Sequence, residues 1–189
     1  MSALARTQTS STGQTSSTGT PWLWIGILAV ASVALSFKLS CATPFAALAT
    51  LAALHMRKTD GLALVVLAWA LNQAVGYCAL DYPRDAESFA WGALIGVAAV
   101  ATFLTATALA PRLASIGQIP MMAATLFAAF AVYEIVLFAA TAALPATEVA
   151  FSWPVIGEIG LVNALVFPAL LLAHEGAQML GLAGVKARA

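Results

Sequence analysis

Long apolar runs, broken at intervals by a charge, a proline or a few polar residues, occupy most of this chain from Pro21 onward. A bilayer core of about 30 Å takes roughly 20 apolar residues per helix, with a working range near 17 to 25. Six runs meet or approach that length. The first is Trp22 to about Phe37, ended by Lys38, and the second is Ala42 to Met56. The third, Leu62 to Leu80, stops at Asp81-Tyr82-Pro83; the fourth, Ser88 to Ala110, closes at Pro111-Arg112. The fifth runs from about Ile119 to Leu144 and the sixth from about Pro154 to Leu180. The short second run carries Pro44 in its first turn, a tolerated position, and is expected to be tilted, recessed or extended by its neighbours. Pro168 is expected to kink the sixth. The runs predict an all-α integral membrane protein, a bundle of six transmembrane helices. Composition agrees: 62% of the residues are hydrophobic and 8% charged, against about 25% charged in soluble domains.

The remaining segments are short and polar. Residues 1–20 hold a Ser/Thr/Gln/Gly-rich stretch that buries too little apolar surface to offset its ordering entropy, so a disordered tail is expected. Residues 21–182 form the transmembrane domain and 183–189 a short basic tail. No Ala-x-Ala-like site follows the first run, which argues against a cleaved signal peptide. A formal net charge of zero gives no reason to expect nucleic acid. There is no Gly-x-x-x-x-Gly-Lys-Ser/Thr loop, so any ATP hydrolysis would fall to another subunit.

Six crossings put both termini on one side, and the cations then divide unequally. Arg6, Arg57, Lys58, Arg112, Lys186 and Arg188 fall on the tail side, and Lys38 and Arg84 on the other. The positive-inside rule therefore places both termini in the cytoplasm. The acids Asp81, Asp85, Glu87 and Glu148 lie outside but weigh little in that rule.

Within this frame one stretch stands out: Asn72-Gln73-Ala74-Val75-Gly76-Tyr77-Cys78-Ala79-Leu80-Asp81-Tyr82-Pro83, the outer end of the third helix. Asn and Gln are costly in hydrocarbon without partners, so the pair marks either a binding site or interhelical glue. Asn72 shares a face with Gly76, and Gln73 with Tyr77. Cys78 lies about 120° from Asn72 on an ideal helix. The two converge only if the helix unwinds near Gly76 or the ligand is large. Cys78 itself reads three ways: a small buried hydrophobe, a disulfide partner of Cys41 on the oxidising side, or a soft metal ligand. Trp91 and Trp153 suit the interfacial belt, with ligand stacking as the alternative for Trp91.

Other polar residues are isolated. Glu134, deep in the fifth run, must be protonated or partnered. Glu158 and Asn163 are expected to line an outward cavity, and Lys38 to snorkel. His55 and His174 share the cytoplasmic side, where a bis-imidazole haem site is conceivable but capping or coupling roles are favoured.

Short helices, fewer than 200 residues, no ATPase and a polar outward site resemble the substrate-binding S components of energy-coupling-factor vitamin transporters. The stretch Asn72-Gln73-x-x-Gly76-Tyr77-Cys78-x-x-x-Tyr82-Pro83, followed by Trp91-Gly92, is similar to the BtuM family of small cobalamin transporters. That resemblance implies uptake of cobalamin or a related corrinoid, with the Cys78 thiolate coordinating cobalt and promoting decyanation of cyanocobalamin. It implies contacts to the substrate from Asn72, Gln73, Tyr77, Cys78, Asp81, Tyr82 and Trp91. It implies no intrinsic cofactor, and permits without requiring an energy-coupling ATPase partner. The competing readings are a non-catalytic accessory subunit of a larger membrane complex, a transporter of another vitamin, and a membrane redox protein.

Overall fold

The computed structural model describes residues 21–38, 43–145 and 151–182, with the side chains of Pro21 and of residues 35–38 left out of the description. Cys41, Glu148 and both tails therefore lie outside the described residues. Six α-helices follow one another: α1 Pro21–Lys38, α2 Phe45–His55, α3 Lys58–Ala79, α4 Ala86–Leu109, α5 Gln118–Ala140 and α6 Trp153–Met179. A 3-10 segment, Ala110–Ile116, extends α4, and no strand occurs among the described residues. Four helices are long and apolar enough to cross a membrane: α3, α4 with its extension, α5 and α6. The chain is a membrane-protein-like helical bundle. The described apolar part of α1, Trp22–Ala34, and α2 are shorter.

The helices alternate in direction. Thr43, just before α2, bonds Asn72 near the far end of α3, whereas His55 at the end of α2 meets His174 near the end of α6. Trp24, early in α1, donates its indole N–H to His174 Nδ1 at 3.0 Å. Both ends of the described chain thus emerge at the same end of the bundle. Arg57, Lys58 and Arg112 belong to that end, and Arg84 with Asp81, Asp85 and Glu87 to the opposite one.

The recessed second helix is the centre of the fold. α2 packs against α3, α4, α5 and α6, and every residue from Phe45 to Ala53 is buried. At 1.5 Å per residue its eleven residues span roughly 16 Å, about half a bilayer core. A helix apolar all round belongs inside a bundle, and this one sits there. Pro44 precedes it and offers no side-chain cap. The missing acceptor comes instead from α6: Asn163 Oδ1 accepts the Ala47 N–H at 2.9 Å, while its Nδ2 donates to the Ile159 carbonyl. Asn163 is 3% exposed. The expectation that it lines an outward cavity is corrected: its amide closes the N-terminus of a buried helix, where an orphaned N–H would be costly.

Four hydroxyls elsewhere in the bundle are satisfied within their own helices, while that of buried Thr50 on α2 has no partner among the described residues. Ser32, Thr102, Thr107 and Thr125 each bond the carbonyl four residues earlier, the usual solution where no water reaches. α3 starts four residues before the apolar run does, with Lys58, Thr59 and Asp60 forming its first turn; Asp60 suits the positive end of the helix dipole. α5 stops at Ala140, and bonds of Thr141, Ala142 and Ala143 to carbonyls three residues back carry the chain into a 3-10-type turn. Gly117, at φ 95°, reverses the chain before α5. α6 runs through Pro168 without a break in helix assignment.

Replacing Asn163 by Leu should leave the Ala47 N–H buried and unpaired, at a cost of about 1–3 kcal/mol. Thermal unfolding in detergent is expected to show a clearly lowered midpoint for Asn163→Leu. The exposed Glu158→Gln should stay within about 0.5 kcal/mol of wild type.

Candidate functional site at the α3–α4 corner

The third helix does not end in a simple frayed turn. Leu80 N–H reaches back to the Val75 carbonyl and Tyr82 N–H to the Gly76 carbonyl, at 3.1 Å each. These bonds span five and six residues, so the last turn is wider than an α-turn. Asp81 takes the left-handed conformation, φ 52°, which Asp tolerates better than most residues. The Tyr77 carbonyl is taken by Arg84 Nη2 at 2.9 Å. Three successive orphan carbonyls are thereby satisfied by the turn that follows them.

The turn hands over directly to α4. Asp85 caps that helix, its side chain accepting the Ser88 N–H at 2.8 Å, and Glu87 occupies the first turn where a negative charge is favoured. The Tyr77 hydroxyl donates to the Ser88 carbonyl at 2.9 Å and lies 3.3 Å from Ser88 Oγ. The Tyr77 ring contacts Phe89 at 4.9 Å and meets Tyr82 edge-on at 6.0 Å between centroids. The Tyr82 ring lies over Gly76 so closely that a Cβ there would stand 2.5 Å from Tyr82 Cδ2. On α4, Gly92 serves the same purpose for Gln73, whose Oε1 would be 2.6 Å from an added Cβ. Gln73, Tyr77 and Tyr82 therefore form one cluster with Ser88 and Phe89.

The other expected residues stand apart from it. Asn72 Oδ1 accepts from Thr43 Oγ1 at 2.8 Å and so faces the entry to α2. Trp91 donates its indole N–H to the Pro145 carbonyl at 3.1 Å, tying α4 to the link after α5. Asp81 is exposed in the turn. Cys78 is free and exposed in the last turn of α3, one residue and hence about 100° around the helix from Tyr77. Helix α3 stays regular through Gly76 and widens only beyond it. Asn72 and Cys78 are thus not brought together by unwinding. A ligand touching both would have to be large.

Among the described residues no group of three or more His, Cys, Asp or Glu side chains is placed to hold a metal ion. Cys78 by itself can supply a single soft donor. At the opposite end, His55 and His174 do meet, with ring centroids 5.2 Å apart. His174 Nδ1 accepts from Trp24, however, and Nε2 lies 3.1 Å from the Gln178 side-chain amide. Both ring nitrogens of His174 are engaged with protein, which disfavours a bis-imidazole haem site. Sequence reasoning missed Thr43 and Ser88, whose roles depend on distant partners; the Asp85-x-x-Ser88 spacing was the available signal for the cap of α4.

Gly76→Ala should force the Tyr82 ring aside and destabilise the corner by about 1–3 kcal/mol. If that contact is the cause, adding Tyr82→Ala should recover part of the loss, so that thermal unfolding of the two single variants and the double shows a coupling of at least about 0.5 kcal/mol. Set beside this geometry, the comparisons are empty: no family model, no curated protein and no solved structure matches the chain.

Proposed function

We propose that the chain imports cobalamin or a related corrinoid across the bacterial inner membrane as a six-crossing, S-component-like bundle, with both termini cytoplasmic. The observation that carries this reading is the placement of Cys78: a free, exposed thiol at the last turn of α3, beside a turn bearing Asp81, Tyr82 and Arg84. The excess of cations at the other end of the bundle supports the orientation, because it puts Cys78 on the side from which a nutrient arrives. The motif around Cys78 supports membership of the cobalamin transporters similar to BtuM.

The chemistry asked of the protein is ligand exchange. With such a substrate bound, the Cys78 thiolate would give cobalt an electron pair as cyanide leaves with the pair of its own bond, so that cobalt keeps its oxidation state and the thiol proton ends on the released cyanide. Tyr77 and Tyr82 offer aromatic faces and Asp81 a carboxylate to the corrin periphery, with Asn72, Gln73 and Trp91 nearer the flanks. In this reading α2 takes the second crossing from its recessed position. An energy-coupling ATPase module is a compatible partner.

A second reading, an accessory subunit in a larger membrane complex, is favoured by a specific observation. Asn72 is engaged by Thr43 and Asn163 by Ala47, which is what polar residues do when they serve only to hold helices together.

The deciding experiment is a visible spectrum of the purified protein after incubation with cyanocobalamin, wild type beside Cys78→Ala. A corrinoid that co-purifies with a shifted spectrum, lost in the variant, is the expected outcome. Binding that survives the substitution would remove the thiolate step and keep the transporter. No corrinoid in either protein would leave the accessory subunit.

A further inference from the structure

Away from that corner, a groove of about 490 Å³ runs along the membrane-facing seam of α3 and α4. Gly96 forms part of its floor, pressed against the Trp69 indole so that a Cβ would stand 2.7 Å from Cε2. The exposed side chains of Val66, Val97 and Leu104 stand along its walls. All its lining side chains are apolar apart from the Trp69 indole N–H, which is occupied by the Gly92 carbonyl. A second groove of about 350 Å³ continues it. Leu104 lines both, and the second is bordered by Lys58, Thr59 and Thr107.

Three features of this double groove point to one kind of occupant. From Ala93 to Thr107 it follows α4 for roughly 21 Å at 1.5 Å per residue, enough to take a chain from the bilayer surface past the midplane of a ~30 Å core. Its polar end carries cations: Lys58 borders it, exposed Arg57 adjoins Lys58, and exposed Arg112 lies one turn beyond Ala108. No carboxylate lines either groove. The nearest acid in sequence, Asp60, accepts a hydrogen bond from Thr59 Oγ1. The polar end thus sets three cations, Lys58, Arg57 and Arg112, against the one carboxylate of Asp60, a balance that favours a phosphate over a net-neutral headgroup.

We infer that the α3–α4 seam binds one anionic phospholipid, its phosphate at Lys58 and an acyl chain along the trough to Trp69. This site is independent of what the opposite end of the bundle binds. One Lys near an anionic headgroup corresponds to roughly a fivefold preference. The test uses the full chain in mild detergent, delipidated and titrated with phosphatidylglycerol or phosphatidylcholine, with bound lipid counted by native mass spectrometry. The first phosphatidylglycerol is expected to bind about fivefold more tightly than phosphatidylcholine. Lys58→Ala, a surface change, should bring that ratio close to one, and Lys58→Glu should reverse it. Ala101→Phe, which fills the trough, should weaken the first binding event with Lys58 intact. Equal binding of the two lipids, a preference unmoved by the Lys58 variants, or binding indifferent to Ala101→Phe would each show annular lipid only and overturn the site.

Discussion

A short helix enclosed on all sides, in a protein whose surroundings offer no water, must have its backbone ends satisfied by its neighbours. α2 is that helix, and the amide of Asn163 is the group that makes its burial tolerable at the N-terminal end. The neighbours then arrange themselves around it, with α3, α4, α5 and α6 all packed against it. Burial of every residue from Phe45 to Ala53 follows from small side chains, since a run of Ala lets surrounding helices approach closely. Removing one polar group on α6 would therefore be felt by α2, which touches four of the other helices. The apolar packing of α2 thus depends on a polar partner supplied by another helix.

The two ends of the bundle are built by different means. At one end, α1, α2 and α6 are gathered by rings, with Trp24 and His55 each against His174. At the other, the backbone itself provides the material: a widened last turn of α3, a left-handed Asp81 and a carbonyl held by Arg84 lead into the Asp85 cap of α4. This second arrangement fixes the direction in which Tyr77 and Tyr82 point while leaving Cys78 on the outside of the helix. The aromatic cluster is rigid because each ring rests on another ring or on a glycine. A thiol beside a rigid corner is available to a ligand at little cost in reorganisation.

Much of the fold was legible because apolar length is a direct consequence of bilayer thickness. The third to sixth runs match α3 to α6 to within a turn or so, the charged start of α3 and the 3-10 turn after α5 being the main differences. Those differences arise because helix termini obey capping and dipole rules, not hydropathy. The depth of α2 was only half legible: its shortness suggested recession, but nothing local says that four other helices enclose it. The polar residues were the least legible. Asn72 was read as costly, Trp91 as interfacial and Asn163 as lining a cavity, yet their partners Thr43, Pro145 and Ala47 lie 29, 54 and 116 positions away in sequence. A residue pattern can announce that a polar group needs a partner, and it cannot name one that distant.

The bond between Trp24 and His174 has a mechanical side. α1 packs along α3 and is pinned to α6 near one end by that indole. From Trp24 to Lys38 the helix extends roughly 21 Å at 1.5 Å per residue, and a tilt of about ten degrees about the pin would carry its far end some 4 Å. The first helix is held both at that imidazole and along α3. Its other end lies at the end of the bundle that carries Cys78, so any such tilt would have to be shared with α3, the helix that bears the thiol.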